Sequence, residues 1–338
     1  MKKIILKEPA DGTAVQLLPA AVRDYLKRGV PIAGGNGPID WNSPVLDSEE
    51  QSRPLPVILR FRAEDGEGPF RVSVSENRDF TGAAVYETAR SYVKIDNLKA
   101  GAWYFWKAAS GSCVSPVFSF VTDPTPPRLI SVGGATNVRD LGGRPAMDGR
   151  FIRQGLIFRG SELNVHTRLT DAGRRVLTSE LGIRTELDFR GEAQGRVHES
   201  ALGEEVRWAF LPCFAYGEFL FREHWETCRS IFSLLADPSV YPVYMHCWGG
   251  ADRTGTVAFL LEALLGADDE SLMQDYELTS FSTSGSRSRN NLQFRQFLFM
   301  LDRYEGADYA AKVYAFLTEA GVTEEEIASI RALLLTEA

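Results

Sequence analysis

Residues 246–255 read His-Cys-Trp-Gly-Gly-Ala-Asp-Arg-Thr-Gly, which places five residues between Cys247 and Arg253. A cysteine in this setting is a potential nucleophile, and a guanidinium grips tetrahedral oxyanions through a two-pronged fork. The residues before the pair, 241–245, are largely β-branched and aromatic and predict a buried strand. The residues after it, 254–265, carry Val257, Leu260, Leu261 and Leu264 at helical spacing and stop at Gly266, which predicts a helix. The loop therefore joins a strand end to a helix start, where backbone N–H groups lack partners and the helix dipole is positive. Its small residues allow it to curl around a phosphate-like anion, with Trp248, Gly249, Gly250, Ala251, Asp252, Arg253 and Thr254 as the binding set. The same field draws a thiol pKa from about 8.5 toward roughly 3.5–7.5, so Cys247 would sit beneath the anion as a thiolate, in line with phosphorus. The Thr254 hydroxyl is placed to serve the sulfur, to cap the helix, or both, and His246 to brace the loop.

The loop resembles the signature of the cysteine-dependent protein-tyrosine phosphatases, His-Cys-x5-Arg-Ser/Thr-Gly, and in particular the bacterial branch that includes tyrosine and lipid phosphatases. Three further blocks, in the family's order, carry the likeness. They are Thr136-Asn137-Val138-Arg139-Asp140-Leu141-Gly142-Gly143, Gly155-Leu156-Ile157-Phe158-Arg159-Gly160-Ser161-Glu162-Leu163 and Leu181-Gly182-Ile183-Arg184-Thr185-Glu186-Leu187-Asp188-Phe189-Arg190. The resemblance runs from about Ile130 to near the C-terminus. It implies phosphomonoester hydrolysis through a phosphocysteine and no cofactor. Phosphotyrosine proteins or other aryl phosphates are the first expectation for substrate, because Trp248 adds an apolar wall beside the nucleophile. Inositol phosphates and phosphoinositides are the alternative. Several relatives carry a lysine before the loop aspartate where this chain has Ala251, which weakens that alternative. A catalytically silent phosphate reader and a sulfur-transfer domain are the rivals of other kinds.

The resemblance also implies a general acid, in many members an aspartate on a mobile loop about 30 residues before the nucleophile. Here residues 211–218 read Leu-Pro-Cys-Phe-Ala-Tyr-Gly-Glu, with no aspartate. Asp188 is the first candidate, because it closes a predicted strand and matches the family's Asp-Leu-Arg block. Asp252, within the loop, and Glu218, on the expected mobile segment, are the others. Arg159 and Arg190 are expected either to contact phosphate or to hold the fold through ion pairs, and Arg139-Asp140 to fix a turn near the pocket. Asp275-Tyr276 also matches the branch, without an assigned role.

The elements around these blocks predict two domains in the 338 residues. Residues 125–338 alternate helical and strand patterns and read as an α/β domain, a mostly parallel sheet flanked by helices. Expected helices span 169–181, 221–235, 254–265, 272–278, 291–301 and 309–317, and a last one opens at the capping box Thr323-Glu324-Glu325-Glu326. Residues 1–124 carry short alternating runs at 57–61, 70–74, 92–95, 103–108 and 117–121, which predict a β-sandwich resembling a fibronectin type III module. A helix is expected at 20–27 and a Gly/Pro-rich loop at 29–42. The prolines of 122–127 predict a stiff linker.

Composition narrows the partners. A net charge of −8 argues against nucleic acid. Cys113, Cys213, Cys228 and Cys247 are too few for a disulfide framework, and His166, His198 and His224 lack metal spacing, so no metal is expected. The N-terminal apolar run, Ile4-Ile5-Leu6, is too short for a signal peptide, and a catalytic thiol favours a reducing, cytoplasmic setting.

Overall fold

The structure, a computed structural model, describes residues 3–28, 50–64, 68–191 and 199–337. The expected loop at 29–42 and His198 lie outside the described residues. The chain divides into two compact units, Met1–Leu18 with Pro54–Arg128, and Pro19–Arg53 with Leu129–Ala338. The division falls a few residues beyond the proline cluster, and the helix expected at 20–27 groups with the second unit instead of the first.

The first unit contains β1 (Lys3–Glu8), β2 (Thr13–Val15), β3 (Val57–Glu64), β4 (Phe70–Ser75), β5 (Ala84–Thr88), β6 (Tyr92–Ile95), β7 (Trp103–Ser110), β8 (Cys113–Val114) and β9 (Phe118–Thr122). One sheet runs β1-β3-β6. The other runs β2-β9-β7-β4-β5, with β8 on β7. Alternation explains their packing: Val57, Leu59 and Phe61 of β3 point inward while Arg60 and Arg62 point out. Ile4, Leu6, Val93 and Ile95 from the first sheet share one core with Val72, Val74, Trp106 and Phe120 from the second. Sequence periodicity missed β1, β2, β5 and β8. The last three are short, and β5 lacks an inward apolar row.

The second unit holds the sheet β10 (Arg128–Leu129), β11 (Arg139–Asp140), β12 (Ile157–Gly160), β13 (Thr185–Asp188), β14 (Arg207–Phe210) and β15 (Val243–His246), ordered β10-β11-β12-β15-β13-β14. β12, β15, β13 and β14 are mutually parallel, and β11 joins antiparallel. Every residue of β15 is buried. Val243 and Met245 face one core, built with α3 (Trp225–Leu235), α4 (Arg253–Leu264), α6 (Leu292–Leu301), α7 (Tyr309–Glu319) and α8 (Glu324–Leu334). Tyr244 faces the other, with Ile130, Phe158, Leu177 and Ile183. β15 thus lies between parallel neighbours with its C-terminal end at the Cys247 loop, where ligands usually bind in an open α/β sheet. α4 is buried on all sides but Arg253, so its interior position overrides the one-faced pattern of a surface helix. α1 (Ala20–Arg28) ties to α5 (Asp269–Leu278) through Tyr25 Oη, which donates to Glu277 Oε2 at 2.7 Å. The helix expected at 169–181 is a short α2 (Asp171–Arg175) capped by Thr170, followed by a wider turn over Val176–Glu180.

Candidate active site

Residues 247–252 form the bend between β15 and α4. Glycine is required at 250, where φ is +64° and an added Cβ would stand 2.1 Å from the Gly160 carbonyl oxygen. The loop's carbonyls are turned away from its interior and are engaged there. Trp248 O accepts the Glu162 amide at 2.9 Å. Gly249 O accepts Asn137 Nδ2 at 3.0 Å and Ser284 Oγ at 2.9 Å. Gly250 O accepts Arg159 Nη2 at 2.6 Å and Asn137 Nδ2 at 3.2 Å, and Ala251 O accepts Arg159 Nη2 at 3.3 Å. Among the described residues nothing accepts from the amides of 248–253. A peptide plane whose oxygen is held outward directs its N–H inward, the arrangement that an anion nest requires.

Those surroundings centre on Asp275. Its carboxylate meets Arg139 Nε at 2.8 Å, Arg144 Nη2 at 3.1 Å and Arg159 Nη1 at 2.5 Å, all in the interior. Arg139 also donates to Asn137 Oδ1 at 2.6 Å and so aims the Asn137 amide at the loop. Burial would push the Asp275 carboxyl up, but the three guanidiniums hold it well below the carboxylate range. Glu262, 2.9 Å from Arg144 Nε, is pushed up to about 8 by burial and by Asp275. Arg159 is therefore a fold-holding residue that reaches the loop's back. Asp275, left without a role by the sequence, is the hub of this network. Its block resemblance was the available signal. Ser284 and Arg287, in a Ser/Arg-rich segment, carried none.

Cys247 is 2 % exposed. Burial pushes its thiol up, but the Arg253 guanidinium and the Thr254 hydroxyl and amide outweigh it, leaving the thiol below its ordinary value. The Thr254 hydroxyl is buried and has no hydrogen bond of ordinary geometry among the described residues, which leaves it available to the sulfur. Arg253 Nη1 donates to Phe189 O at 3.3 Å, so one edge of its guanidinium is held beside the loop. His246 is buried with Nε2 2.9 Å from Glu186 Oε1 and Nδ1 3.1 Å from Cys247 O. Burial lowers its pKa, but Glu186 and Asp188 raise it further, and the net shift is upward.

The two aspartate candidates are both buried and both paired with an arginine, whereas Glu218 is exposed. Asp188 has no exposed surface and accepts from Arg190 Nε at 2.9 Å, Arg190 Nη2 at 2.7 Å and the Arg190 amide at 2.9 Å. Burial raises its pKa, but the Arg190 bonds and His246 outweigh this, and the net direction is down. That arrangement favours a permanent carboxylate and weighs against the donor role expected for it. Asp252 opens α4, yet its side chain caps no backbone amide. Instead Oδ1 and Oδ2 take Arg287 Nε at 2.8 Å and Nη2 at 2.9 Å, and Tyr216 Oη donates to Oδ1. Tyr216 adopts φ +57°, uncommon for a bulky residue, while its amide bonds Thr256 Oγ1 at 2.7 Å and its hydroxyl lies 2.9 Å from that of Tyr276. Glu218 is exposed on the turn Tyr216–Leu220. Among the described residues no cluster of three or more His, Cys, Asp or Glu could hold a metal ion, and no helix is long and apolar enough to cross a membrane.

A cysteine at the floor of an amide-lined loop, closed by an arginine from the following helix, defines a class, and comparison with known proteins agrees with it. Residues 130–336, more than half of the chain, match the tyrosine phosphatase family, and the chain belongs to that family. A Cupriavidus necator protein whose name assigns it to the tyrosine-protein phosphatases is 28% identical over 225 residues, covering 59% of this chain and 76% of that protein. The core catalytic domain of the PP-IP phosphatase SIW14 from S. cerevisiae, solved with citrate, aligns over 49% of this chain and 88% of its own. Its TM-score is 0.34 and its identity 14%, too low a similarity to carry an argument.

Proposed function

We propose that the protein hydrolyses phosphomonoesters through a phosphocysteine, with phosphotyrosine or another aryl phosphate as substrate. The observation that supports this best is the loop itself. Its carbonyls are held outward at 248–251, its amides are free, and a depressed thiol lies at its centre. In the first step the Cys247 sulfur bonds phosphorus as the ester P–O bond breaks, while the loop amides and Arg253 take the charge on the equatorial oxygens. A proton passes to the leaving oxygen. In the second step water attacks phosphorus and returns a proton to the carboxylate that gave one up, the P–S bond breaks, and the Thr254 hydroxyl stabilises the departing thiolate.

For the proton donor we propose Asp252 ahead of Asp188 and Glu218. Asp252 lies within the loop next to Arg253 and acts electrostatically on Cys247. Arg287 and Tyr216 fix its position. Both aspartates are paired with an arginine, Asp188 with Arg190 and Asp252 with Arg287, but Asp252 lies in the loop itself and retains some exposure, whereas Asp188 has none. Glu218 is exposed on the turn Tyr216–Leu220.

Hydrolysis of p-nitrophenyl phosphate with EDTA present tests the reading. Turnover by the wild type that disappears in Cys247→Ser is the expected result, and retention of a tenth or more of the rate refutes the nucleophile. Asp252→Asn is expected to slow phenyl phosphate far more than p-nitrophenyl phosphate, whose leaving group needs no proton. Faster turnover of inositol phosphates than of phosphotyrosine peptides would overturn the substrate class. For the first unit, the two sheets over one core support a fibronectin type III-like module.

A further inference from the structure

We propose that His166 and Trp248 form an aryl slot beside the phosphate loop and make the site selective for esters of aromatic alcohols. This rests on the reading of the Cys247 loop as a phosphate site. Trp248 follows the nucleophile directly and is half-buried. Its ring meets the imidazole of the exposed His166 edge-to-face, with centroids 4.1 Å apart and planes at 76°. The two rings come from loops 82 positions apart in the chain (248 − 166), so the contact belongs to the fold and not to local sequence.

The position of His166 is built. Glu162 is 1 % exposed, and its carboxylate collects four successive amides. Asn164 and Val165 donate to Oε2 at 2.7 and 2.6 Å, and His166 and Thr167 donate to Oε1 at 2.6 Å each. Arg190 closes the cage, with Nη1 3.4 Å from Glu162 Oε2 and 2.8 Å from Asn164 Oδ1. The Glu162 amide then donates to Trp248 O at 2.9 Å. One residue thus folds the 162–167 turn around its own side chain and fastens that turn to the nucleophile loop. Buried charge-assisted bonds of this number fix a turn far more rigidly than exposed loop residues require for solubility.

The resulting wall has two properties. It presents ring flanks from the residue that follows the nucleophile candidate, and residues 164–167 carry no lysine or arginine, the next in sequence being the exposed Arg168. An aryl ester whose phosphorus lies over Cys247 projects its ring out of the nest, where an edge or face of this pair can meet it. An alkyl phosphate gains nothing there.

The test uses the full chain carrying Cys247→Ser, titrated calorimetrically with phosphotyrosine and with inorganic phosphate. Adding His166→Ala is expected to weaken phosphotyrosine roughly 2- to 12-fold, the range one aromatic contact supports, and to leave inorganic phosphate unchanged. His166→Phe, which keeps a ring, is expected to restore the affinity. In a Trp248→Leu background His166→Ala is expected to have no further effect, because the pair acts as a unit. Both substitutions leave the backbone donors of the Glu162 cage in place. Equal weakening of both ligands, no weakening of either, or additive effects of the two substitutions would overturn the slot. A wild type that turns over aryl and alkyl phosphates equally well would leave the phosphatase reading standing without the slot. A wild type with no turnover but ring-dependent binding would do the reverse.

Discussion

Arg159 is the point where the interior charge network touches the nucleophile loop, so its replacement by lysine separates charge from geometry. The guanidinium places Nη1 2.5 Å from Asp275 Oδ2 and Nη2 2.6 Å from Gly250 O, with its side chain fully buried. A lysine keeps the charge but offers one compact ammonium on a different stem, and it cannot hold both ends. A hydrogen bond to a charged group contributes about 1.5–3 kcal/mol, so Arg159→Lys is expected to destabilise by that amount. For a unit of this size that corresponds to a fall in Tm of roughly 3–12 °C. The functional share is larger than the stability figure suggests. With only Asn137 Nδ2 left to hold it, at 3.2 Å, the Gly250 carbonyl can rotate into the loop interior, where its oxygen opposes a phosphate. If the whole cost falls on the anion-competent loop, the Kd for tungstate rises roughly 10- to 150-fold. Thermal unfolding of the unliganded variant and calorimetric tungstate titration measure the two effects separately. A Tm drop in this range with unchanged tungstate affinity would mean that Arg159 only cements the fold. No change in either quantity would sink the network argument altogether.

Other perturbations follow from the same geometry. Gly250→Ala meets both a positive φ and the Gly160 carbonyl, and is expected to cost about 1–3 kcal/mol in stability and to abolish tungstate binding, as unfolding and titration would show. Because Arg253 and Thr254 depress the Cys247 thiol, alkylation by iodoacetamide should titrate below the ordinary range near about 8.5, and Thr254→Val should move that midpoint upward; an unmoved midpoint would remove Thr254 from the mechanism. His246 has a raised pKa in the fold, so its contribution to stability is complete below its unfolded value of about 6.5 and is lost as pH rises through the folded value. Glu186→Gln removes the partner that Nε2 faces at 2.9 Å, so the wild type should lose Tm faster than this variant as pH climbs from about 6.5, and parallel curves would refute the pairing. Asp275→Asn leaves three buried guanidiniums facing Glu262 alone and is expected to cost about 3–5 kcal/mol in urea unfolding.

Much of the loop's chemistry was legible in the sequence because it is local. Strand, turn and helix are contiguous from Val243 to Leu264, so the periodicity on each side places Cys247 and Arg253 without knowledge of the rest. The ordered blocks around Arg139, Arg159 and Asp188 likewise marked the residues that gather behind the loop. Their roles were not legible, because an arginine that grips phosphate and one that grips a buried aspartate look the same in one dimension. Arg159 and Asp275 are 116 positions apart, and only the parallel pairing of β12 beside β15 and the packing of α5 bring them together. The acid shows the same limit. Asp188 closes a strand as its pattern predicts and pairs with the neighbouring Arg190, while Asp252 acquires its partners from Tyr216 and Arg287, distant segments with no shared motif. Cys247 and Arg253 stand out as candidates in one dimension, since that reading needs only residue types a few positions apart. Which way each peptide of the loop faces and which charges are neutralised depend on partners that only folding makes neighbours.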